Sequence, residues 1–227
     1  MALYKKDIME YSKMHLHGYF RSSASYRIRI ALNYKKIKYE NIEIDLSKNE
    51  QNKINYLLLN PQGLVPLLET THGNFIQSLA VIEYLEDIYP EPNLLPKDPI
   101  EKQRVRALSQ MIACEIQPLN NLRVLNYLTN ECHLNEKQKI SWYTHWISIG
   151  FEAIEKKLKN ESFTGIFCHG DKPTMADICL VPQVYNAKRF NCDLTKYPII
   201  QRIDATCQEI LFFQKADPKF QPDAITI

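Results

Sequence analysis

Four prolines within residues 90–99 divide this chain into two parts of different character. Because proline lacks an amide hydrogen and is disfavoured inside helices and sheets, such a cluster is typical of a linker. Both strand and helix patterns precede the cluster, whereas only helix patterns follow it. We therefore expect a polar extension at residues 1–13, a first domain at 14–95 and a second domain at 96–227.

The first domain alternates strand and helix patterns. Its strand patterns are short, and its helix patterns repeat apolar residues every three or four positions. Alternation of this kind predicts a layered α/β domain with some parallel strand pairing. In chain order, we expect a strand at 14–20, a helix at 22–32, a strand at 39–46, a weak helix at 51–59, a hairpin around 71–73 and a helix at 78–89 capped by Ser78.

The second domain carries no strand pattern. Long amphipathic stretches occupy residues 104–128 and 139–159, and a last helical pattern covers 199–213. Thr174 and Asp177 have the spacing of a capping box, in which an acidic side chain reaches back to the start of its own helix. These patterns predict an all-helical domain.

Charge and glycine content exclude several functions. The 28 basic and 26 acidic residues leave a net charge of +2, without the basic surplus of a dedicated nucleic-acid binder. Only 6 glycines occur, and none can form the GxGxxG turn of a dinucleotide site. Gly165 and Gly170 have phosphate-loop spacing, but Asp171 occupies the lysine position and would repel a phosphate. We therefore expect neither nucleic-acid binding nor a phosphate loop.

Cysteine placement and the lack of long apolar runs indicate the compartment. All 6 cysteines follow residue 113 without a CxxC pair, which favours a reduced, cytoplasmic enzyme. The chain shows no signal-peptide pattern at residues 1–13, and no run approaches the roughly 18 apolar residues of a membrane span. His15 and His17 share a strand face, but an isolated histidine pair is more often structural than metal-binding. We expect a cytoplasmic protein without a membrane partner or a metal ion.

Three residue pairs in the first domain indicate a ligand site, although each also has a purely structural explanation. Val65-Pro66 either offers a free backbone to an extended ligand or is an ordinary edge-strand proline. Gln77-Ser78 suits a carboxylate at a helix start, or is a plain cap. Ser22-Ser23 lies where a hydroxyl and the helix dipole stabilise a thiolate, or caps the first helix.

The most specific pattern is YFRSSASYRIRIAL, from Tyr19 to Leu32. It resembles the motif of zeta-class glutathione transferases, the maleylacetoacetate isomerases, and the resemblance covers nearly the whole chain after residue 13. It implies a glutathione transferase architecture: a thioredoxin-like α/β first domain with a mixed four-stranded sheet, and an all-α second domain. It also implies a homodimer that uses glutathione. The other matching segments are LNP at 59–61, VP at 65–66, QSLAVIEYL at 77–85, LLP at 94–96, QPLNNL at 117–122, GD at 170–171, TMAD at 174–177, LVPQ at 180–183 and RF at 189–190.

The resemblance also implies a site residue by residue. Ser22 would donate a hydrogen bond to the sulfur of glutathione, with Ser23 beside it in the same motif. The implied glutathione contacts are Gln51, Val65 with a cis Pro66, Gln77, Ser78, Gln117 and Asn121. The implied contacts to a substrate carboxylate are Arg21 and Arg189, for which a solvated surface charge is the alternative. Arg27 and Arg29 are predicted to be surface or interdomain charges.

One position departs from the family pattern, because Ala24 stands where the motif has cysteine. The nucleophile would be the thiolate of glutathione, which the protein only positions and polarises. We therefore expect activity to be retained, with an altered affinity for substrate.

The resemblance implies glutathione-dependent cis–trans isomerisation of maleylacetoacetate, a step of tyrosine and phenylalanine catabolism, by reversible thiolate addition. The partner would be a small diketo or dicarboxylic acid. An alternative is a glutathione transferase acting on small electrophilic acids, or a maleylpyruvate isomerase with the same site. A second alternative is a non-catalytic scaffold, against which the presence of Ser22, Gln77 and Ser78 counts.

Overall fold

The computed structural model describes residues 14–226, so the predicted polar extension at 1–13 lies outside the described residues. The chain divides into two compact units. The first unit ends at Pro92 and also takes in the chain from Leu211 onward, and the second unit is Asn93–Ile210. The C-terminal segment, which the sequence analysis places in the second domain, is thus grouped with the first unit.

The first unit begins with alternating strands and helices, as the sequence patterns predict. Its second strand and second helix are shorter than expected, and two 3-10 turns, Leu46–Lys48 and Glu50–Asn52, precede that helix. The elements are β1 (His15–Gly18), α1 (Ser23–Tyr34), β2 (Glu40–Glu43), α2 (Ile54–Leu57), β3 (Leu67–Thr70), β4 (Gly73–Ile76) and α3 (Ser78–Ile88).

The four strands form one mixed sheet in the order β2-β1-β3-β4. β1 pairs with β2 in parallel, whereas β1 with β3 and β3 with β4 are antiparallel. In the register, His17 lies opposite Leu67, and Leu67 lies opposite Ile76. The predicted mixed four-stranded sheet is confirmed.

The second unit is entirely helical, and none of its residues is in a strand. The predicted stretch at 104–128 is interrupted around Pro118, which cannot donate the hydrogen bond of a helix interior. A π-helical segment, Met111–Ile116, and a 3-10 turn, Pro118–Asn120, occupy the interruption. The helices of the unit are α4 (Pro99–Gln110), α5 (Leu122–Asn130), α6 (Glu136–Asn160), α7 (Met175–Arg189) and α8 (Pro198–Gln208).

The start of α7 follows the predicted capping box. The Asp177 carboxylate accepts hydrogen bonds from the Thr174 N–H at 2.8 Å and from the Thr174 hydroxyl at 2.9 Å. It also accepts from the Cys168 N–H at 2.8 Å, and Asp177 is fully buried. The carboxylate therefore caps the start of α7 and also anchors the preceding loop at Cys168.

The predicted helix at 199–213 is two helices. α8 ends where the Ile210 N–H donates to the Cys207 carbonyl in a tighter turn, and α9 (Leu211–Ala216) begins directly after it. Two 3-10 turns, Pro218–Phe220 and Pro222–Thr226, complete the described chain. Among the helices of residues 14–226, none combines the length and apolar character needed to cross a bilayer.

α1 is covered by helices on more than one side, because both α3 and α9 pack against it within the first unit. Arg27 is 1% exposed and Arg29 is 2% exposed. The prediction that either arginine is a surface charge is therefore wrong. Strand and helix patterns do not reveal that α9, nearly 200 residues later in the chain, packs against α1.

Candidate active site

The register of the sheet brings three segments of the first unit to one end of it. β1 runs to that end and leads into Ser22 and α1, while antiparallel β3 starts there, directly after Val65-Pro66. β4 is antiparallel to β3 and ends there, so Gln77 and the start of α3 follow at the same place. The three residue pairs singled out in the sequence are thereby gathered at one sheet end.

Ser22 is the N-cap of α1. Its backbone is extended, with φ −68° and ψ 117°, and its hydroxyl oxygen accepts the Ser25 N–H at 3.2 Å. Because this bond uses only an oxygen lone pair, the hydroxyl hydrogen remains available to a second partner. Capping and donation to a thiolate are therefore compatible roles for one half-buried side chain.

Ser23 and Ala24 continue the first turn of α1. Ser23 is buried, whereas Ala24 is partly exposed. A methyl group therefore stands at the partly exposed position where the family motif has a thiol. The 6 cysteines of the chain are all free, and all lie in the second unit.

The Val65-Pro66 peptide bond is cis, as predicted. Val65 precedes the first ladder pair of β3, and its N–H and C=O have no hydrogen-bond partner within residues 14–226. The loop before it is anchored, since the Tyr56 hydroxyl and the Asn60 amide each donate to the Leu64 carbonyl at 2.7 Å. Burial raises the pKa of Tyr56 to about 12, so this hydroxyl keeps its proton at neutral pH.

Ser78 is not the cap of its helix, contrary to the sequence prediction. Gln77 takes the capping position with a φ of 67°, a left-handed conformation that is rare for residues other than glycine. Ser78 is instead the first helical residue, and its oxygen accepts a hydrogen bond from Arg27 Nη1 at 3.2 Å. A guanidinium only donates, so the Ser78 hydroxyl hydrogen is directed elsewhere. Both this hydrogen and the free N–H groups of the helix start suit a carboxylate.

Two further predicted glutathione contacts of the first unit are glutamines. The Gln77 amide is exposed and donates to Gln62 Oε1 at 2.9 Å. Gln51 lies in a 3-10 turn and donates to Asn49 Oδ1 at 2.9 Å, while its own Oε1 is shielded from solvent without a partner in the described chain. The role of Gln51 toward glutathione stays a prediction.

Arg21 lies next to Ser22 and is partly exposed. Its Nη2 donates to the Tyr19 hydroxyl at 3.0 Å, and its guanidinium lies 4.9 Å from the centre of the Phe20 ring. The two aromatic rings hold the cation beside the helix start, where it is available to an anionic substrate.

Gln117, Asn121 and Arg189 belong to the second unit. Gln117 follows the π-helical segment, and Asn121 caps α5 by accepting the Arg123 N–H at 3.1 Å. Arg189 ends α7 and is exposed, with its guanidinium 4.9 Å from the centre of the Phe190 ring. The roles of these three residues toward glutathione and substrate stay predictions.

Three residues hydrogen-bond to the segments of the site without having been predicted to do so, namely Arg27, Tyr56 and Asn60. The signal for Arg27 was present, because apolar residues on nearly every face of α1 indicate a helix covered on several sides. Tyr56 lies in the weak helical pattern at 51–59 and Asn60 directly follows it, where the residue pattern gives no comparable signal for either side chain.

His15 and His17 do share a face of β1. His17 Nε2 lies 2.8 Å and His15 Nδ1 lies 3.4 Å from the same oxygen of Glu69 on β3, and the hydrogen bond with His17 lowers the pKa of Glu69. No group of three or more metal-ligating side chains with metal-site geometry occurs within the described part of the chain.

Known proteins resemble this chain in both sequence and structure. The glutathione S-transferase N-terminal domain model matches residues 16–93. A probable maleylacetoacetate isomerase of Vibrio cholerae is 45% identical over 211 residues, which cover 92% of this chain and 97% of that relative. A holo structure of a maleylpyruvate isomerase, described as a bacterial zeta-class glutathione S-transferase, has a TM-score of 0.91 at 46% identity and covers 92% of this chain and 99% of that one. The maleylacetoacetate isomerase of Methylobacterium extorquens, solved with bound malonate and glutathione, has a TM-score of 0.88 at 36% identity and covers 92% and 99%.

Proposed function

The chain belongs to the zeta class of the glutathione S-transferase family, and from this membership we propose that it is a glutathione-dependent cis–trans isomerase of maleylacetoacetate. The observation that carries the proposal is the Ser22 hydroxyl, which caps α1 through its oxygen and keeps its hydrogen for a thiolate. The relatives described above include a maleylacetoacetate isomerase solved with glutathione.

The residues of the first unit fit glutathione. The N–H and C=O of Val65, which lack a hydrogen-bond partner within residues 14–226, suit the backbone of an extended peptide, and the Ser78 hydroxyl with the start of α3 suits its γ-glutamyl carboxylate. Ser22, at the positive end of α1, would stabilise the charge on sulfur. When bound, glutathione supplies a thiolate that adds to the conjugated cis double bond, permits rotation and is expelled again, so that it is regenerated.

Arg21 would act on the substrate rather than on glutathione. Its guanidinium is held by Tyr19 and Phe20 next to Ser22, where it would bind a terminal carboxylate or stabilise the negative charge that spreads into the substrate carbonyl. Arg189 of the second unit is the other proposed carboxylate contact. We also propose that the protein is cytoplasmic and forms a homodimer. Light scattering coupled to size exclusion measures the molar mass and so tests the homodimer.

The direct test is a spectrophotometric isomerase assay on the purified full chain with maleylacetoacetate and, separately, with maleylpyruvate. We expect turnover that requires glutathione and leaves its total concentration unchanged. Net consumption of glutathione would instead indicate a conjugating transferase. Activity with maleylpyruvate alone would favour the maleylpyruvate isomerase, and the absence of glutathione binding in titration calorimetry would indicate a scaffold.

Ala24→Cys restores the family residue and tests whether a protein thiol is needed. We expect kcat to change by less than about threefold, or about 0.7 kcal/mol in activation free energy, because the attacking sulfur comes from glutathione. The effect should fall on KM for the substrate, because a larger side chain occupies a partly exposed position. Ala24→Ser is the matched control for volume without a thiol. If wild type is inactive and only Ala24→Cys turns over, the proposed mechanism is wrong.

A further inference from the structure

The backbone of Phe20, two positions before Ser22, is hydrogen-bonded to the C-terminal segment of the chain. Its N–H donates to Asp223 Oδ2 at 2.8 Å, a contact between residues 203 positions apart. Its C=O accepts from Arg29 Nη2 at 2.9 Å. Both backbone polar groups of Phe20 therefore have charged partners, and one of these partners belongs to the C-terminal segment.

Arg29 forms a second connection between the Phe20 backbone and the C-terminal segment. Its Nε donates to the Ala216 carbonyl at 3.0 Å, while its Nη1 lies 3.5 Å from the Tyr19 carbonyl. Burial lowers the pKa of Arg29 to about 10, although nearby groups that include Asp223 act to raise it. Arg29 therefore remains a cation at neutral pH, and charge-assisted bonds of this kind are stronger than neutral ones.

The contacts reach Ser22 through one short turn. The Ser22 N–H donates to the Tyr19 carbonyl at 3.0 Å, which is the same carbonyl that faces Arg29. The C-terminal segment is itself anchored on α1, because Asn33 Nδ2 donates to the Phe212 carbonyl at 3.3 Å and the rings of Tyr34 and Phe212 lie 5.0 Å apart. A displacement of Asp223 would thus be transmitted to the turn that sets the position of Ser22.

We propose that Asp223 is a positioning residue for catalysis, which holds the turn at Tyr19–Ser22 through the Phe20 N–H and so aims the Ser22 hydroxyl at the glutathione sulfur. This inference rests on the proposed function. The C-terminal segment, residues 211–226, then completes the glutathione site from within the first unit. Hydroxyl donors stabilise a thiolate only at hydrogen-bond distance, and a shift of about 1 Å in a catalytic group can cost about 100-fold in rate.

The test compares Asp223→Ala, Asp223→Asn and Lys219→Ala in the full-length protein. We expect Asp223→Ala to lower kcat at least about tenfold, with KM for glutathione changed less than about threefold, because the turn is loosened while the γ-glutamyl contacts persist. The pKa of bound glutathione should rise in the same variant. Asp223→Asn keeps an oxygen that accepts the Phe20 N–H and should restore most of the activity. Lys219 is an exposed charge of the same segment, so Lys219→Ala should match wild type.

Two outcomes overturn the positioning role of Asp223. One is an active wild type whose kcat and bound-thiol pKa are unchanged in Asp223→Ala. The other is an Asp223→Asn variant as impaired as Asp223→Ala, since the lost function would then be the charge and not the hydrogen bond. A wild type without glutathione-dependent turnover contradicts the proposed function itself. Amide hydrogen exchange at Phe20 still tests the contact in that case, and we expect faster exchange in Asp223→Ala only.

Discussion

Replacing Ser22 with alanine is expected to lower kcat by about 100- to 1000-fold, the usual effect of removing one aligned donor from a developing or stabilised anion. The Kd for glutathione should change by less than about threefold, because the Val65 backbone and the Ser78 hydroxyl are untouched. Kinetics with saturating glutathione, together with calorimetric titration of glutathione, measure the two effects separately.

The same substitution removes the helix cap, so the loss of the donor must be distinguished from a loss of stability. Capping through the Ser25 N–H is worth about 1 kcal/mol, which lowers the melting temperature by a few degrees without unfolding the protein at assay temperature. Ser22→Thr keeps both the cap and the donor and should recover much of the activity. The pKa of bound glutathione, followed by thiolate absorbance against pH, should rise in Ser22→Ala and not in Ser22→Thr. An unchanged thiol pKa together with an unchanged kcat would contradict the assigned role.

Asp177→Ala is expected to have the largest effect on stability. The substitution leaves the Cys168 N–H, the Thr174 N–H and the Thr174 hydroxyl without their acceptor in a fully buried position. A buried donor without a partner costs about 1–3 kcal/mol. We expect the free energy of unfolding to fall by about 3 kcal/mol or more, and the melting temperature by roughly 6–12 °C in a chain of this length.

Asp171→Ala is the matched control for this prediction. Asp171 also accepts a loop N–H, that of Ile166 at 3.2 Å, but it is exposed, so water can replace the lost acceptor. We expect a loss of less than about 1 kcal/mol. Urea unfolding of both variants, followed by circular dichroism, gives the comparison. Equal midpoints for the two variants would show that burial of the Asp177 carboxylate does not matter for stability.

The parts of the fold that depend on neighbouring residues were predictable. Helix periodicity located α3 and α6, and the spacing of Thr174 and Asp177 located the start of α7, because the groups that satisfy a helix terminus lie within one turn of it. The breaks within 104–128 and 199–213 were missed. The amphipathic spacing of the side chains continues through both breaks, although the α-helical backbone is interrupted there.

Site chemistry divides in the same way. The residues proposed to face the ligand in the first unit, Ser22, Val65 and Ser78, were predicted from residue types at strand ends and helix starts, with the family resemblance. The backbone conformation of Gln77 was not predicted, because the sequence allows either Gln77 or Ser78 to occupy the capping position. That choice determines whether the Ser78 hydroxyl is used by its own helix or is free for a ligand.

The sequence by itself determined the order of strands and helices in the first unit and the helical character of the second, and through the family resemblance it predicted which side chains carry the chemistry. Only the tertiary structure decided that Arg27 lies behind Ser78, that Arg29 holds the turn before Ser22, and that Asp223 closes on Phe20. The physical reason is the range of the interactions. Caps and periodic apolar faces are set within a few residues, whereas a hydrogen bond across 203 positions depends on how distant segments pack, which no local pattern encodes.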